Sequence, residues 1–356
     1  MQQINNVYSD LKILCHPDKL QAILSGQRTA PLYVRIKPTN ICNQNCWYCV
    51  YANDKVIENR SVNRRESIPW EKMQEIINDL SEMGTKAITF SGGGEPLCYP
   101  YIIETLNLVR KKGIDYAMIS NGQAMEAKAR EALREAKWVR ISLDSVNENM
   151  YQKIRGVNTY NKVLDNIARF AKEKNKNCVL GVNFVVTKDN YKDIYTMCKM
   201  LFEIGVDNVK FSPLMVKGTI PEYHMEIRQQ VEKQISKAKT ELESKYFSII
   251  DKYTDDQSFY KDFEKKCEHC YIKEIFTVIG ADCNVYYCHQ RAYTKQGMIG
   301  SLQNQSFKEL WFLDETTNKF RNMNPKNECN FRCAFEERNE LLDSLVNMDK
   351  RHINFI

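Results

Sequence analysis

Between residues 32 and 215, short apolar runs alternate with longer amphipathic ones, and that alternation constrains the fold more than any other feature. "LYVRIKPT", "KAITF", "DYAMIS", "KWVRISLD", "CVLGVNFVV" and "VDNVKFSPL" read as six strands. Between them, "PWEKMQEIINDLSEMG", "YIIETLNLVRKKG", "AMEAKAREALREA", "NKVLDNIARFAKEKN" and "NYKDIYTMCKMLFEIG" carry helical periodicity. The first of these has Pro69 near its start and Gly84 closing it, the usual asymmetry of helix ends. Strands joined by right-handed crossover helices make a parallel sheet. Six units fall short of the eight of a closed barrel. The predicted fold is therefore α/β: a partial (β/α)6 TIM-like barrel whose functional loops lie at the carboxyl ends of its strands.

The remaining chain divides by pattern. Residues 1–31 hold at most one helical segment before the barrel of 32–215. Residues 216–266 are charged ("PEYHMEIRQQVEKQISKAKTELESK"), then looser, and read as a helical connection. Residues 267–356 combine cysteines, short strands ("EIFTVIG", "CNVYYC"), a short helix ("SFKELWF") and a closing charged helix ("FEERNELLDSLVNMDK"). They are predicted to form a small cysteine-rich α+β domain with a C-terminal helix.

With 43% hydrophobic and 27% charged residues, the composition is that of a globular protein in water. No apolar run approaches the roughly 18 residues that span a bilayer, and the N-terminus lacks the pattern of a signal peptide. The expected location is the cytoplasm, with no membrane partner. The net charge of +6 is spread along the chain and reads first as a solvated lysine-rich surface. The sharper alternative is a basic mouth that attracts an anionic substrate such as a nucleotide sugar. No compact basic block with interleaved aromatics points to nucleic acid.

Thirteen cysteines carry the chemistry. A reducing compartment keeps them as thiols, so clusters of them mean metal binding or catalysis. Cys15, Cys98, Cys178 and Cys198 are scattered and read as small buried hydrophobes. Cys42, Cys46 and Cys49, in "NICNQNCWYCVYAN", follow directly after the first strand. A zinc site would need a fourth Cys or His nearby, and none lies between residues 17 and 97. Three thiolates on a cubane iron–sulfur cluster would instead leave one iron open to a small molecule.

The CxxxCxxC spacing, with Tyr48 just before the last cysteine, resembles the signature of the radical S-adenosylmethionine (radical SAM) superfamily. The resemblance covers roughly residues 32–215. It implies a 4Fe–4S cluster on Cys42, Cys46 and Cys49, with S-adenosylmethionine as the missing ligand of the open iron. Reductive cleavage of that cofactor would give a 5′-deoxyadenosyl radical that abstracts hydrogen from substrate. "FSGGGEP" follows the second strand and resembles the family's glycine-rich motif, which assigns Gly92, Gly93, Gly94 and Glu95 to the methionyl ammonium. Glycine there permits positive φ and close backbone approach. "ISNG" at 119–122 resembles the segment ending the third strand. By the same likeness Tyr48, Ser142 and Asp144 of "RISLDS", Arg155 of "YQKIRG" and Asn183 of "GVNFVV" are expected on the cofactor side. Read without it, Ser142, Asp144 and Arg155 would be cap, turn or surface residues.

The second cysteine group, "CEHCYIKEIFTVIGADCNVYYCHQRAY" and "ECNFRCAF", is similar to the C-terminal SPASM or Twitch extension of that superfamily. The pattern implies that Cys270, Cys288, Cys329 and Cys333 hold a second, auxiliary 4Fe–4S cluster, closed by four thiolates and suited to electron transfer. Cys267 and Cys283 are surplus, although Cys267 could replace Cys270. A structural zinc is the alternative. His269 and His289 are expected as polar neighbours rather than ligands.

The resemblance implies a radical SAM oxidoreductase that dehydrogenates a small molecule, such as a sugar or nucleotide sugar, with the auxiliary cluster taking an electron. An electron donor such as flavodoxin or ferredoxin would be its partner. Only about 30 residues precede the first strand, which tilts the expectation away from peptide or protein maturation, the runner-up. Epimerisation and a non-catalytic iron–sulfur carrier are further alternatives. No residue stands out as a substrate base; Lys217, His224 and Arg291 are polar residues in plausible places.

Overall fold

The computed structural model describes residues 9–52, 60–214, 220–254, 265–329, 331 and 333–355. Its strands are β1 (Tyr33–Ile36), β2 (Ala87–Phe90), β3 (Asp115–Ser120), β4 (Trp138–Ser142), β5 (Val179–Val186), β6 (Asn208–Pro213), β7 (Ser248–Asp251), β8 (Phe276–Ile279), β9 (Asn284–Tyr286) and β10 (Met298–Ser301). They form one sheet in the order β10-β9-β8-β1-β2-β3-β4-β5-β6-β7. From β8 to β7 every pairing is parallel, and β9 and β10 add an antiparallel edge.

The α/β class and the barrel-like parallel sheet agree with the sequence reading, but eight strands run parallel rather than six. β7 lies inside the segment expected to be a helical connection, after the helix Arg228–Leu242. β8 belongs to the cysteine-rich segment yet pairs with β1, Tyr33 against Phe276 and Ile36 against Ile279. The cysteine-rich segment therefore shares its sheet with the barrel. β7, four residues within a charged segment, was not anticipated, whereas β8 falls in "EIFTVIG", read as a short strand, and only its pairing with β1 is new.

Each strand alternates two faces. In β1, β4 and β6 the residues Val34, Ile36, Val139, Ile141, Val209 and Phe211 are fully buried against the surrounding helices. The helix Trp70–Glu82 answers with Met73, Ile76, Ile77 and Leu80, one stripe at helical spacing, and Gly84 at φ +78 ends the turn that follows. Burial of each such side chain contributes about 1.5–3 kcal/mol. The opposite faces of the same strands, carrying Arg35, Arg140 and Lys210, line the inside of the arc.

Besides Asp314–Asn322 and Pro325–Glu328 in the cysteine-rich segment, one further helix escaped the sequence reading. Glu148–Arg155 is capped by Asn147, whose side chain accepts from the Met150 amide at 2.9 Å, and stops at Gly156, φ +71. It carries Arg155 at its last position. The N-terminal helix Pro17–Ser25 follows a 3-10 turn, Asp10–Cys15, which the C-terminal helix Glu336–Val346 holds through Arg338 Nε to Asp10 at 2.6 Å. Cys178 and Cys198 are buried as expected, whereas Cys15 is exposed and Cys98 half-buried, so packing does not account for all four. Among the described residues no helix is long and apolar enough to cross a membrane.

Candidate active site at the carboxyl ends of the strands

The loop after β1 carries Cys42, Cys46 and Cys49, all half-buried, and three neighbouring segments fix it. The end of the helix Glu148–Arg155 holds its middle, where the amides of Asn45 and Trp47 donate to the carbonyls of Arg155 (3.0 Å) and Ile154 (3.3 Å). A side chain on Gly156 would press on the Asn45 carbonyl oxygen at 2.9 Å. Asn121, after β3, donates to the Asn43 side chain at 2.7 Å, and Gln44 donates to the Tyr151 hydroxyl at 2.7 Å.

The third support is the glycine run after β2. Gly94 donates its amide to Thr39 O, and Glu95 to Ile41 O, both at 2.9 Å. A Cβ on Gly93 would overlap the Asn40 side chain, and one on Gly94 the Ile41 carbonyl. None of Gly92, Gly93 and Gly94 has a positive φ. Close backbone approach, and not left-handed geometry, is what this motif needs from glycine.

Glu95 is buried and already takes three donors: Ser120 Oγ at 2.7 Å, the Asn121 amide at 2.7 Å and the Leu97 amide at 3.0 Å. Burial nonetheless pushes its carboxyl above the usual range. Asp144 accepts from the Tyr48 hydroxyl, from Arg155 Nη2 and from the Val185 amide (2.8 Å). Arg155 Nη1 lies 3.5 Å from Cys46 Sγ, while its buried Nε has no acceptor among the described residues. Tyr48, Asp144 and Arg155, expected separately from the sequence, thus form one buried unit bonded to itself and to the cysteine loop. Ser142 and Asn183 face the inside of the arc as register partners on β4 and β5.

Burial raises the Cys42 thiol to about 12, against a hydrogen bond from the Gln44 backbone that lowers it. Burial also raises Cys46, opposed by Arg155. Three soft donors on one loop, a cation at one of them and a carboxylate behind the glycine run are a donor set that fits an iron–sulfur cluster with an open position.

Cys270, Cys288, Cys329 and Cys333 line one cavity beside β8 and the helix Glu336–Val346, and Cys267 borders it. Electrostatically the four act on one another, whereas Cys267 responds to Asp343, Glu340 and Glu336 of the C-terminal helix. Cys283 lies elsewhere, under Asp282, Lys72, Glu66 and Glu75. Burial pushes Cys288 to about 11 and Cys333 to about 12, while Lys273, Arg291 and Lys265 oppose the same effect at Cys270, Cys329 and Cys333. A ring of cations around four thiols suits a cluster of net negative charge. Among the described residues no three His, Cys, Asp or Glu form a group placed to hold a single metal ion.

The other polar residues separate by environment. His224 is fully buried between Tyr253 OH (3.1 Å) and Leu214 O (3.0 Å), a packing role. Arg291 serves the second cysteine group and pairs with Glu328 at 3.5 Å. His269 sits 3.1 Å from Lys273 Nζ, and His289 stacks edge-on near Phe335. Lys217 lies outside the described residues. Sequence reasoning missed Lys37, which donates to Tyr51 OH at 2.8 Å and to Gly92 O, and Asn190, which donates to Asp144 O at 2.9 Å. It also missed the inner cations Arg35, Arg140 and Lys210. Their signal was present: "VRIK", "VRIS" and "VKFS" repeat one pattern in three strands.

Residues 36–201 match the model of the Radical SAM superfamily. The chain is 29% identical over 247 residues to a probable GTP 3′,8-cyclase of Methanocaldococcus jannaschii, covering 67% of this chain and 79% of that protein. It is 26% identical over 199 residues to a UPF0026 protein of Helicobacter pylori, covering 54% of this chain and 64% of that one, less than two thirds of its length. Among solved structures, SuiB of Streptococcus suis bound to the precursor peptide SuiA superposes with a TM-score of 0.64 at 16% identity, over 89% of this chain and 73% of that one. The fold likeness therefore extends past the matched core into the cysteine-rich segment.

Proposed function

The chain belongs to the radical SAM superfamily, and from that premise we propose that it oxidises a small-molecule substrate, a sugar or nucleotide sugar, by hydrogen abstraction. Cys42, Cys46 and Cys49 would hold the first 4Fe–4S cluster, and Cys270, Cys288, Cys329 and Cys333 an auxiliary one. When bound, the first cluster with S-adenosylmethionine would supply hydrogen-abstracting radical chemistry, and the auxiliary cluster would supply a one-electron acceptor for the oxidation. The chain's own residues position and shield. Gly93 and Gly94 bring the glycine run against the cysteine loop, and Glu95, held by Ser120 and the Asn121 amide, acts electrostatically on Cys42. Arg155, fixed by Asp144, keeps a donor on Cys46. Ser142 and Asn183 offer polar atoms to a ribose on the inner face.

The observation that carries this reading is the convergence of the glycine run, the Arg155 end of its helix and the Asn121 loop on one three-cysteine segment. The relative named as a GTP cyclase supports a small-molecule substrate. The fold likeness to SuiB, solved with its precursor peptide, supports the second reading, peptide maturation. A cytoplasmic location and a flavodoxin- or ferredoxin-type donor accompany either.

The test is anaerobic reconstitution with iron and sulfide, followed by dithionite and S-adenosylmethionine, with the Cys42→Ala/Cys46→Ala/Cys49→Ala variant alongside. The reading expects 5′-deoxyadenosine from the wild type alone. Absence of deoxyadenosine from fully loaded, reduced protein, with and without candidate substrates, would favour an iron–sulfur carrier.

A further inference from the structure

The inside of the arc is cationic, and of its charges only Arg35, which faces Cys288, touches the cluster assignments. Val34-Arg35-Ile36-Lys37, Val139-Arg140-Ile141-Ser142 and Val209-Lys210-Phe211-Ser212 repeat an apolar–basic–apolar–polar order on β1, β4 and β6. Alternation sends the apolar members outward to the helices and the basic members inward. These strands lie well apart in the sheet, yet their charges meet. Lys210 feels Arg140, Lys252 and Arg35, and burial together with those cations lowers it to about 8.

Among the described residues, no carboxylate is one of the groups acting most strongly on Arg35, Lys37 or Lys210. The groups that act most strongly on Arg35 are Tyr33, Tyr51 and Cys288; those on Lys37 are Tyr51, Arg35 and Arg60. Among the described residues Lys210 makes no ion pair. Arg35 Nε is buried without an acceptor, and so are Nε and Nη1 of Arg60, whose Nη2 donates to Gln290 O at 2.8 Å. Like charges enclosed together repel strongly unless an anion joins them.

Lys210 is also the register partner of Asn183, which is that of Ser142, so the cations begin where the expected cofactor contacts end. We infer that Arg35, Arg60 and Lys210 seat the di- or triphosphate end of a nucleotide-type substrate inside the barrel, beside the radical SAM centre. This rests on the reading of that centre given above. Several cations converging from separate strands match a ligand with more than one negative charge, and guanidinium forks match phosphate oxygens. A single carboxylate of an acidic peptide would leave most of this charge unanswered.

The experiment uses the anaerobically reconstituted full chain and measures binding of inorganic pyrophosphate, UDP and uridine by calorimetry. A short acidic peptide is run in parallel. The expected result is binding of pyrophosphate and UDP, no binding of uridine, and a loss of about tenfold or more in Lys210→Met and Arg35→Gln. Lys210→Arg should retain most of the affinity. UDP tighter than pyrophosphate indicates a nucleotide; equal affinities indicate a phosphate carried on another small molecule, and overturn the nucleotide assignment. Phosphate affinities unchanged in the variants, or a charge-dependent preference for the peptide, overturn the proposal. So does loss of iron from Lys210→Met with pyrophosphate affinity intact, since the cations would then serve the clusters alone. Wild-type protein that makes deoxyadenosine but binds no phosphate defeats this inference and leaves the radical reading standing. Phosphate binding without deoxyadenosine does the reverse.

Discussion

Arg155 reaches Cys46 from the last turn of its helix, its Nη1 3.5 Å from the sulfur, while its Nη2 is anchored on Asp144. The pair ties a helix end on one side of the arc to the middle of the three-cysteine loop. A cation held against a buried thiol favours the thiolate, the form that binds iron.

That contact can be read by iron content. In Arg155→Gln the donor to Cys46 is lost and Asp144 keeps only Tyr48 and the Val185 amide. Asp144→Asn keeps the shape but leaves Arg155 uncompensated, and breaking such a buried pair costs about 3–5 kcal/mol. Both variants should lose iron from the first site, with Asp144→Asn showing the larger drop in denaturant midpoint. Iron analysis and urea titration check this, and wild-type iron content in both would remove Arg155 from the site.

Gly94→Ala should separate site geometry from folding. The added methyl meets the Ile41 carbonyl, so the glycine run must lift from the cysteine loop. The expected outcome is a loss of deoxyadenosine formation of about a hundredfold or more, the scale of a small displacement at a reacting centre. The core strands are untouched, so the circular dichroism spectrum should be unchanged. Ala at Gly113, where nothing lies within 4 Å but φ is +71, should cost stability and spare the reaction.

The cysteines of the second group differ in what they touch, and substitution should show it. Cys288→Ala or Cys333→Ala is expected to lower iron from about eight to about four per chain. Cys283→Ala should leave the count unchanged, because that thiol faces Lys72 and Glu75. Cys267→Ala should do likewise. Loss of iron in Cys267→Ala with retention in Cys270→Ala would exchange the two as ligands.

Lys210 gives a pH dependence of defined sign. Its folded pKa of about 8 lies below the ordinary 10.5, so between these values the unfolded chain binds the extra proton. Stability contributed through this group therefore rises with pH from about 8 to about 10.5. Lys210→Met should be more stable than wild type at pH 7 by on the order of 1–3 kcal/mol, and the advantage should shrink towards pH 10. Denaturant midpoints at both pH values measure it. An advantage that does not vary with pH would assign the gain to packing.

Much of this was legible before any coordinates. Six strands and their helices followed from periodicity, because β1 to β6 alternate or run apolar for long enough to register. The cysteine loop and glycine run were legible because their chemistry depends on residue type at fixed spacing. β7 was not, being four residues inside a segment dominated by charged helix; β8 was read as the strand "EIFTVIG", but its place beside β1 is a pairing between distant segments that leaves no local signal. Tyr48, Asp144 and Arg155 were each expected at the site, but their mutual hydrogen bonds were invisible, being set by three segments far apart in the chain.

The sequence by itself determined which atoms are available: three thiols on one loop, six more near the end, glycines where backbone must approach backbone, and cations at alternate positions of three strands. Only the tertiary structure decided which of these meet. Pairing of β8 with β1 brings the second cysteine group into the same sheet as the first. Curvature of the sheet brings Lys210 within electrostatic reach of Arg140 and Arg35 from separate strands. Side-chain direction is local, but the enclosure that makes a charge costly and a ligand welcome depends on every strand at once.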